Sequence, residues 1–216
     1  MSAFPGSPRL LKCGIATWSG GLVGQIIVLQ YNPDTLTRTL QIQSAGNEPG
    51  DRLEALRLKG PPLETIKLEA EVDVTDQLEQ PDDNPVVVQN GLQPQLSALE
   101  LLLYPTVNQL TDANSLASQG VLELVSIEAP LTLFVWSAQR IVPVRITEFS
   151  ITEEAFDPAL NPIRAKISLG MRVLSVMDLG FTRESGGGMY LAYQSAKEGL
   201  ARQFQYGTPA ALGVSF

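Results

Sequence analysis

Apolar and polar residues alternate most regularly over residues 131–176. Leu131, Leu133 and Val135 share one side of a first run. In a second run Ile141, Pro143, Arg145, Thr147 and Phe149 stand opposite Val142, Val144, Ile146 and Glu148. In a third, Ile163, Ala165, Ile167, Leu169 and Met171 stand opposite Arg164, Lys166 and Ser168. A period of two sends successive side chains to opposite faces, so each run predicts a strand with one face buried. Turn formers separate the runs: Ser137-Ala138-Gln139 first, then Asp157-Pro158 and Asn161-Pro162. The stretch is a predicted β-meander onto which the rest of the chain closes.

Upstream, Leu10 to Trp18 predicts a first strand and Ser19-Gly20-Gly21 a turn. Gln25 to Tyr31 (QIIVLQY) is strongly β-prone, and Asn32-Pro33-Asp34 ends it, because proline cannot donate to a ladder. Leu36 to Gln43 alternates out of phase, which predicts a bulge or twist. Residues 44–60 admit two readings, a short helix or an arm of a long hairpin. Glu64 to Val74 alternates cleanly, with Ile66, Leu68, Ala70, Val72 and Val74 buried and Lys67, Glu69, Glu71 and Asp73 wet. Residues 76–91 hold Pro81, Asp82, Asp83 and Pro85 and read as a surface loop. Pro94 suits the first turn of a helix carrying Leu96, Leu99, Leu102 and Leu103, which Tyr104-Pro105 stops. Residues 106–120 read as a second polar loop and Val121 to Glu128 as a strand.

The character changes after Val176. Ser185-Gly186-Gly187-Gly188 reads as a flexible linker. Met189, Tyr193, Ala196, Leu200 and Phe204 then form one stripe of an amphipathic helix, which Gly207-Thr208-Pro209 ends. The chain thus divides into residues 1–180, a β domain, and residues 181–216, a helix and apolar tail. Two fates are open for that helix: folding back on its own domain, or docking on another subunit.

Composition narrows the function. The 216 residues include no histidine, which removes the Ser-His-Asp triad, the Cys-His dyad and histidine zinc sites. A net charge of −8 speaks against a nucleic-acid binder, whose phosphate contacts need a basic face. Cys13 is the single cysteine, so no disulfide framework forms, and between Lys12 and Gly14-Ile15 it reads as a buried structural thiol. No apolar run approaches the ~20 residues of a membrane helix, and Met1 to Pro8 lacks the pattern of a signal peptide. The acidic groups Asp73/Asp76, Asp82/Asp83 and Glu153/Glu154/Asp157 match no calcium loop and read as solvated surface. The triple glycine lacks the Gly-Lys-Ser/Thr ending of a phosphate loop. Trp18 and Trp136 read as core or interface anchors. No catalytic, cofactor-binding or metal-ligating residue is assigned, no cofactor is expected, and the chain reads as a non-enzyme.

A set of ordered segments carries a resemblance. Phe134-x-Trp136, Val142-Pro143-Val144-Arg145-Ile146, Thr152-Glu153-x-x-Phe156-Asp157 and Asn161-Pro162-Ile163-Arg164-Ala165, preceded by Leu29-Gln30-Tyr31-Asn32-Pro33-Asp34-Thr35-Leu36, resemble the tube-type baseplate proteins of contractile injection systems, which are phage-tail-like particles. The resemblance implies a mainly β, tail-tube-like antiparallel barrel or sandwich with one packed α-helix, here followed by the C-terminal helix and tail. It also implies a homo-hexameric ring acting as tube initiator or hub adaptor between the trimeric spike and the inner tube, in contact with other baseplate proteins. A bulk inner-tube protein is the alternative; a β-barrel ligand binder or enzyme fits less well. Assembly in the cytoplasm, with neither nucleic acid nor membrane bound by this chain, goes with that reading. Many relatives continue into a LysM-type domain; residues 177–216 lack its pattern, so peptidoglycan binding is not carried over.

Overall fold

The structure is a computed structural model that describes residues 12–44, 56–118, 129–182 and 184–207. The fold is mainly β, as the alternation predicts. Strands β1 (Gly14–Ser19), β2 (Leu22–Val28), β3 (Leu36–Gln41), β4 (Leu63–Asp73), β5 (Leu131–Ser137), β6 (Arg140–Phe156) and β7 (Pro162–Val173) form one antiparallel sheet in the order β2-β1-β5-β6-β7-β4-β3. The helices are α1 (Thr75–Leu78), α2 (Pro85–Asn90), α3 (Gln93–Glu100), α4 (Val107–Ser118), α5 (Val176–Leu179) and α6 (Gly187–Ala201).

The sheet curls around a single main core. Ile27 of β2 and Leu36 of β3, at opposite ends of the strand order, pack against the same cluster of Ile15, Ile66, Phe134, Val142, Ile167 and Met171. Leu92, Leu96, Leu99 and Leu102 cover it from around α3, and Tyr190 and Tyr193 from α6. A small cluster of Ala16, Trp18 and Leu133 sits on the other face of β1 and β5, joined by Leu131, Ile141 and Met189. Leu131 and Leu133 thus share a side, as the period of two requires.

β6 explains how the sheet bends. Its first residues pair with β5, Val142 opposite Phe134, and from Val144 onward it pairs with β7. The β7 register shifts between Ile146 and Glu148. A bulge adds one residue and flips the face that later side chains use. The expected face of Ile141, Pro143, Arg145, Thr147 and Phe149 is therefore corrected. Val142, Val144 and Ile146 face the main core before the bulge, and Phe149 and Ile151 face it afterwards.

Other expectations shift for local reasons. Of the expected bulge or twist, the bulge is absent: β3 pairs with β4 in unbroken register from Leu36–Leu68 to Gln41–Leu63. Ser44 bridges Leu58, and the Lys59 amide donates to the Gln43 carbonyl at 2.9 Å, so the described ends of residues 44–60 follow the hairpin reading. Residues 45–55 and the expected strand Val121 to Glu128 lie outside the described residues. The expected loop 76–91 contains α1 and α2, with Pro85 in the first turn of α2. The expected loop 106–120 contains α4. Its start is a reciprocal cap: the Thr106 amide donates to Gln109 Oε1 at 2.9 Å, and the Gln109 amide donates to Thr106 Oγ1 at 3.3 Å. No residue of α4 is buried.

At the C-terminal end, α6 folds back on its own sheet through Tyr190 and Tyr193. The expected stripe is half right: Met189 and Tyr193 pack inward, while Leu200 and Phe204 are exposed and Phe204 lies beyond α6. The glycine run is close-packed. A Cβ on Gly187 would collide with the Gly180 carbonyl oxygen, and one on Gly186 with the Leu131 side chain. Glycine here admits backbone to backbone contact, where the sequence suggested slack.

Candidate functional site

The residues weighed as chemistry separate in space. Asp73, at the end of β4, accepts from the Thr75 amide at 2.7 Å and holds Arg164 at 2.7 Å. Burial works to raise its pKa, but the Thr75 and Arg164 hydrogen bonds together outweigh it, so the net shift is downward. Glu154 pairs with Lys166 at 2.9 Å across β6 and β7. Asp76 lies in the first turn of α1, and Asp82 and Asp83 in the exposed turn before α2. Among the described residues no group of three His, Cys, Asp or Glu could hold a metal. Cys13 is buried, and that burial pushes its thiol pKa up, which disfavours the nucleophilic thiolate. Trp18 is buried, and the Trp136 ring lies 6.0 Å from that of Phe134. No helix among the described residues is long and apolar enough to cross a membrane.

Some of the residues that carry the resemblance form clamps. At the β6–β7 hairpin tip, Asp157 Oδ1 accepts from the Ala159 and Asn161 amides, each at 2.8 Å, and Oδ2 accepts from Asn161 Nδ2 at 2.8 Å. The Asn161 side-chain amide, the largest influence, holds the half-buried Asp157 carboxyl below its ordinary pKa. The same Nδ2 donates to the Gln89 carbonyl at 3.2 Å, and the Leu92 amide donates to the Pro162 carbonyl at 2.8 Å. Gly91, at φ 56°, lets that turn approach: a Cβ there would strike the Pro162 oxygen. The hairpin tip is thereby tied to the α2–α3 turn.

Gln30 makes a second clamp just past β2. Its Oε1 accepts from the Asp73 amide at 2.8 Å, and its Nε2 donates to the Asp73 carbonyl. One side-chain amide thus copies a β-bridge between the end of β2 and the end of β4. Asn32 Oδ1 accepts from the Cys13 amide at 3.0 Å. These polar residues close the curl at one corner.

The strand edges away from that corner are open. β2 pairs only with β1, and β3 only with β4, among the described residues. Leu22, Val23, Ile26 and Val28 of β2 are 75%, 51%, 66% and 55% exposed. Leu40 and the following Ile42 are exposed at β3. An edge strand presents free N–H and C=O groups, and soluble proteins usually blunt such edges with charge, proline or a cover. β2 contains neither a charge nor a proline.

A buried ionic cluster completes the picture, and its signal was present in the sequence. Glu64 has the same parity as Ile66 and Leu68, so the strand pattern itself turns its carboxylate inward. It is 4% exposed. Arg38 of β3 reaches Oε1 at 2.6 Å, and Lys197 of α6 reaches Oε2 at 3.2 Å. The Tyr193 hydroxyl donates to Oε1 at 3.0 Å and accepts from Arg38 at 3.0 Å. Lys197 Nζ also lies 3.9 Å over the Tyr193 ring. Burial works to raise the Glu64 pKa, but the Arg38 hydrogen bond and the Lys197 charge outweigh it and the net shift is downward. Burial and the Glu64 charge push the Tyr193 phenol up to about 12. The cluster fixes α6 against the β3–β4 end of the sheet.

No family model matches the chain, and no curated protein matches it. Among solved structures the chain is similar to the tail of an empty GTA particle with C6 symmetry, at 13% identity over 75% of this chain and 90% of that one, with a TM-score of 0.28.

Proposed function

We propose that this chain is a structural subunit of a phage-tail-like contractile injection particle that associates side by side into a closed ring of six. The observation that carries the reading is the bare β2 edge, whose apolar side chains and free backbone groups lack a cover among the described residues. β2 and β3 are different strands at opposite ends of the strand order, so joining one to the other between copies is a head-to-tail contact. Such a contact repeats, and it closes into a ring when the rotation per subunit fits. The resemblance of segments 29–36, 134–136, 142–146, 152–157 and 161–165 to tube-type baseplate proteins supplies the particle and the count of six.

Within the particle the reading places the ring between the trimeric spike and the inner tube, as tube initiator and hub adaptor, with other baseplate proteins around it. Its role is assembly, without catalysis, in the producer's cytoplasm and then in the finished particle. The test is a cryo-electron map of the particle purified from the producing cell. Six copies in one ring between spike and tube fit the adaptor role. Stacked rings along the shaft make it the bulk tube protein instead, and absence from any particle overturns the assignment.

A further inference from the structure

Beside the Glu64 cluster lies a cavity of about 250 Å³, lined by Arg38, Trp136, Gln139, Arg140, Tyr193 and Lys197 among others. We propose that this cavity is a binding site for a carboxylate carried on a small apolar body. The inference is independent of the ring assignment.

The charge count drives it. Three cations, Arg38, Arg140 and Lys197, line the cavity, and the Glu64 carboxylate beside it pairs with two of them, Arg38 and Lys197. Arg38 and Lys197 spend their hydrogen bonds on Glu64 and Tyr193. The side chain of Arg140, the first residue of β6, makes no hydrogen bond or ion pair among the described residues, although it lies close enough to bear on the Tyr193 phenol. In a chain of net charge −8, this leaves one half-buried guanidinium without a counter-ion, in a recess that excludes part of the solvent. A guanidinium presents parallel N–H donors that match both oxygens of a carboxylate. Glu64 already uses the deep donors, so the available charge suits one further monoanion.

The walls select what the carboxylate is attached to. Trp136, the Tyr193 ring and Leu200 are apolar or aromatic surfaces, and Ser137 and Gln139 add hydrogen-bonding groups on the β5–β6 turn. The volume takes a group the size of one side chain. Two sources share this chemistry: the Glu or Asp side chain of a partner protein, and a free small carboxylic acid.

Titration of the whole protein, read by Trp136 fluorescence and by NMR shifts of Arg140 and Lys197, tests the site. The probes are benzoate, its uncharged analogue benzamide, inorganic phosphate, and a capped tripeptide with a central glutamate. Saturable binding of benzoate or the peptide, without benzamide binding, is expected, and Arg140→Gln should weaken it by about tenfold or more. Tighter binding of the peptide identifies a partner side chain; tighter binding of benzoate identifies a free acid. Because the Arg140 side chain holds no structural partner among the described residues, Arg140→Gln should melt like the parent, and Arg140→Lys should retain part of the affinity. The proposal is overturned if neither carboxylate binds, if benzamide binds equally, if phosphate binds more tightly, or if Arg140→Gln leaves binding unchanged.

Discussion

β4 and β2 are both rich in β-forming residues, yet they meet opposite fates. In β4 the apolar positions from Ile66 to Val72 are buried while Lys67, Glu69 and Glu71 face water. In β2, LVGQIIV is apolar at both ends around Gly24 and Gln25, a composition that suits a strand buried on both faces. It stands instead at the end of the sheet, with most of its side chains in solvent. β4 is made for the core of its own chain. β2 has the composition of an interior strand but only one neighbour, β1, among the described residues, and a neighbouring copy would supply the other.

The largest expected effect sharpens this contrast. Leu68→Asp places a charge in the β4 core and should cost about 4 kcal/mol or more, enough to unfold a domain of ordinary stability. Ile26→Asp, the same kind of change on β2, should move the stability of the isolated chain by only about 0.5 kcal/mol. Thermal melts followed by circular dichroism compare the two. Equal losses would mean that β2 is a core strand after all.

Next comes the ionic cluster that joins β4 to α6. Glu64→Gln leaves Arg38 and Lys197 facing a neutral group. It should cost about 2 kcal/mol, below the usual figure for a broken buried pair because both cations keep partial access to water. The pH dependence has a definite sign. The folded-state pKa of Glu64 lies below its ordinary 4.5, so its contribution is complete above 4.5 and is lost as pH falls through the folded value. Asp73 is shifted in the same direction. The acid limb of a stability–pH curve should therefore be steeper in the parent than in Glu64→Gln, and identical limbs would exclude the cluster as its source.

A smaller effect probes the corner where the end of β2 meets β4. Gln30→Ala removes both bonds to the Asp73 backbone and should cost about 1–2 kcal/mol. Hydrogen exchange at the Asp73 amide should speed up while that of the Ile167 amide, in the middle of the sheet, should not. Smallest of all, Asn161→Ala should cost about 1 kcal/mol and loosen the hairpin tip from the α2–α3 turn, visible as faster exchange at Leu92.

What could be read from the sequence follows from how local each cause is. The faces of β4 and β7 depend only on a period of two, and Ile66, Leu68, Ala165 and Ile167 lie where that period puts them. The second half of β6 could not be read so simply, because its bulge changes parity at a place set by pairing with β7. α4 carried the Thr106–Gln109 cap in its sequence, but its polar residues resembled a loop. The glycines at the start of α6 looked like slack because their close approach to Gly180 and Leu131 is a tertiary fact. Glu64 was legible by parity alone, whereas its partners come from β3 and α6 and needed the fold. Gln30, Asn32, Asp157 and Asn161 stood out through resemblance, and only the structure gives them their clamping roles.

The central claim is that β2 is an association edge, and light scattering over a range of concentrations tests it most directly, comparing the parent with Ile26→Lys/Val28→Lys. The account predicts that the parent rises toward a sixfold mass while the variant stays at the mass of one chain with an unchanged circular dichroism spectrum. Parent and variant with the same mass at every concentration would contradict it.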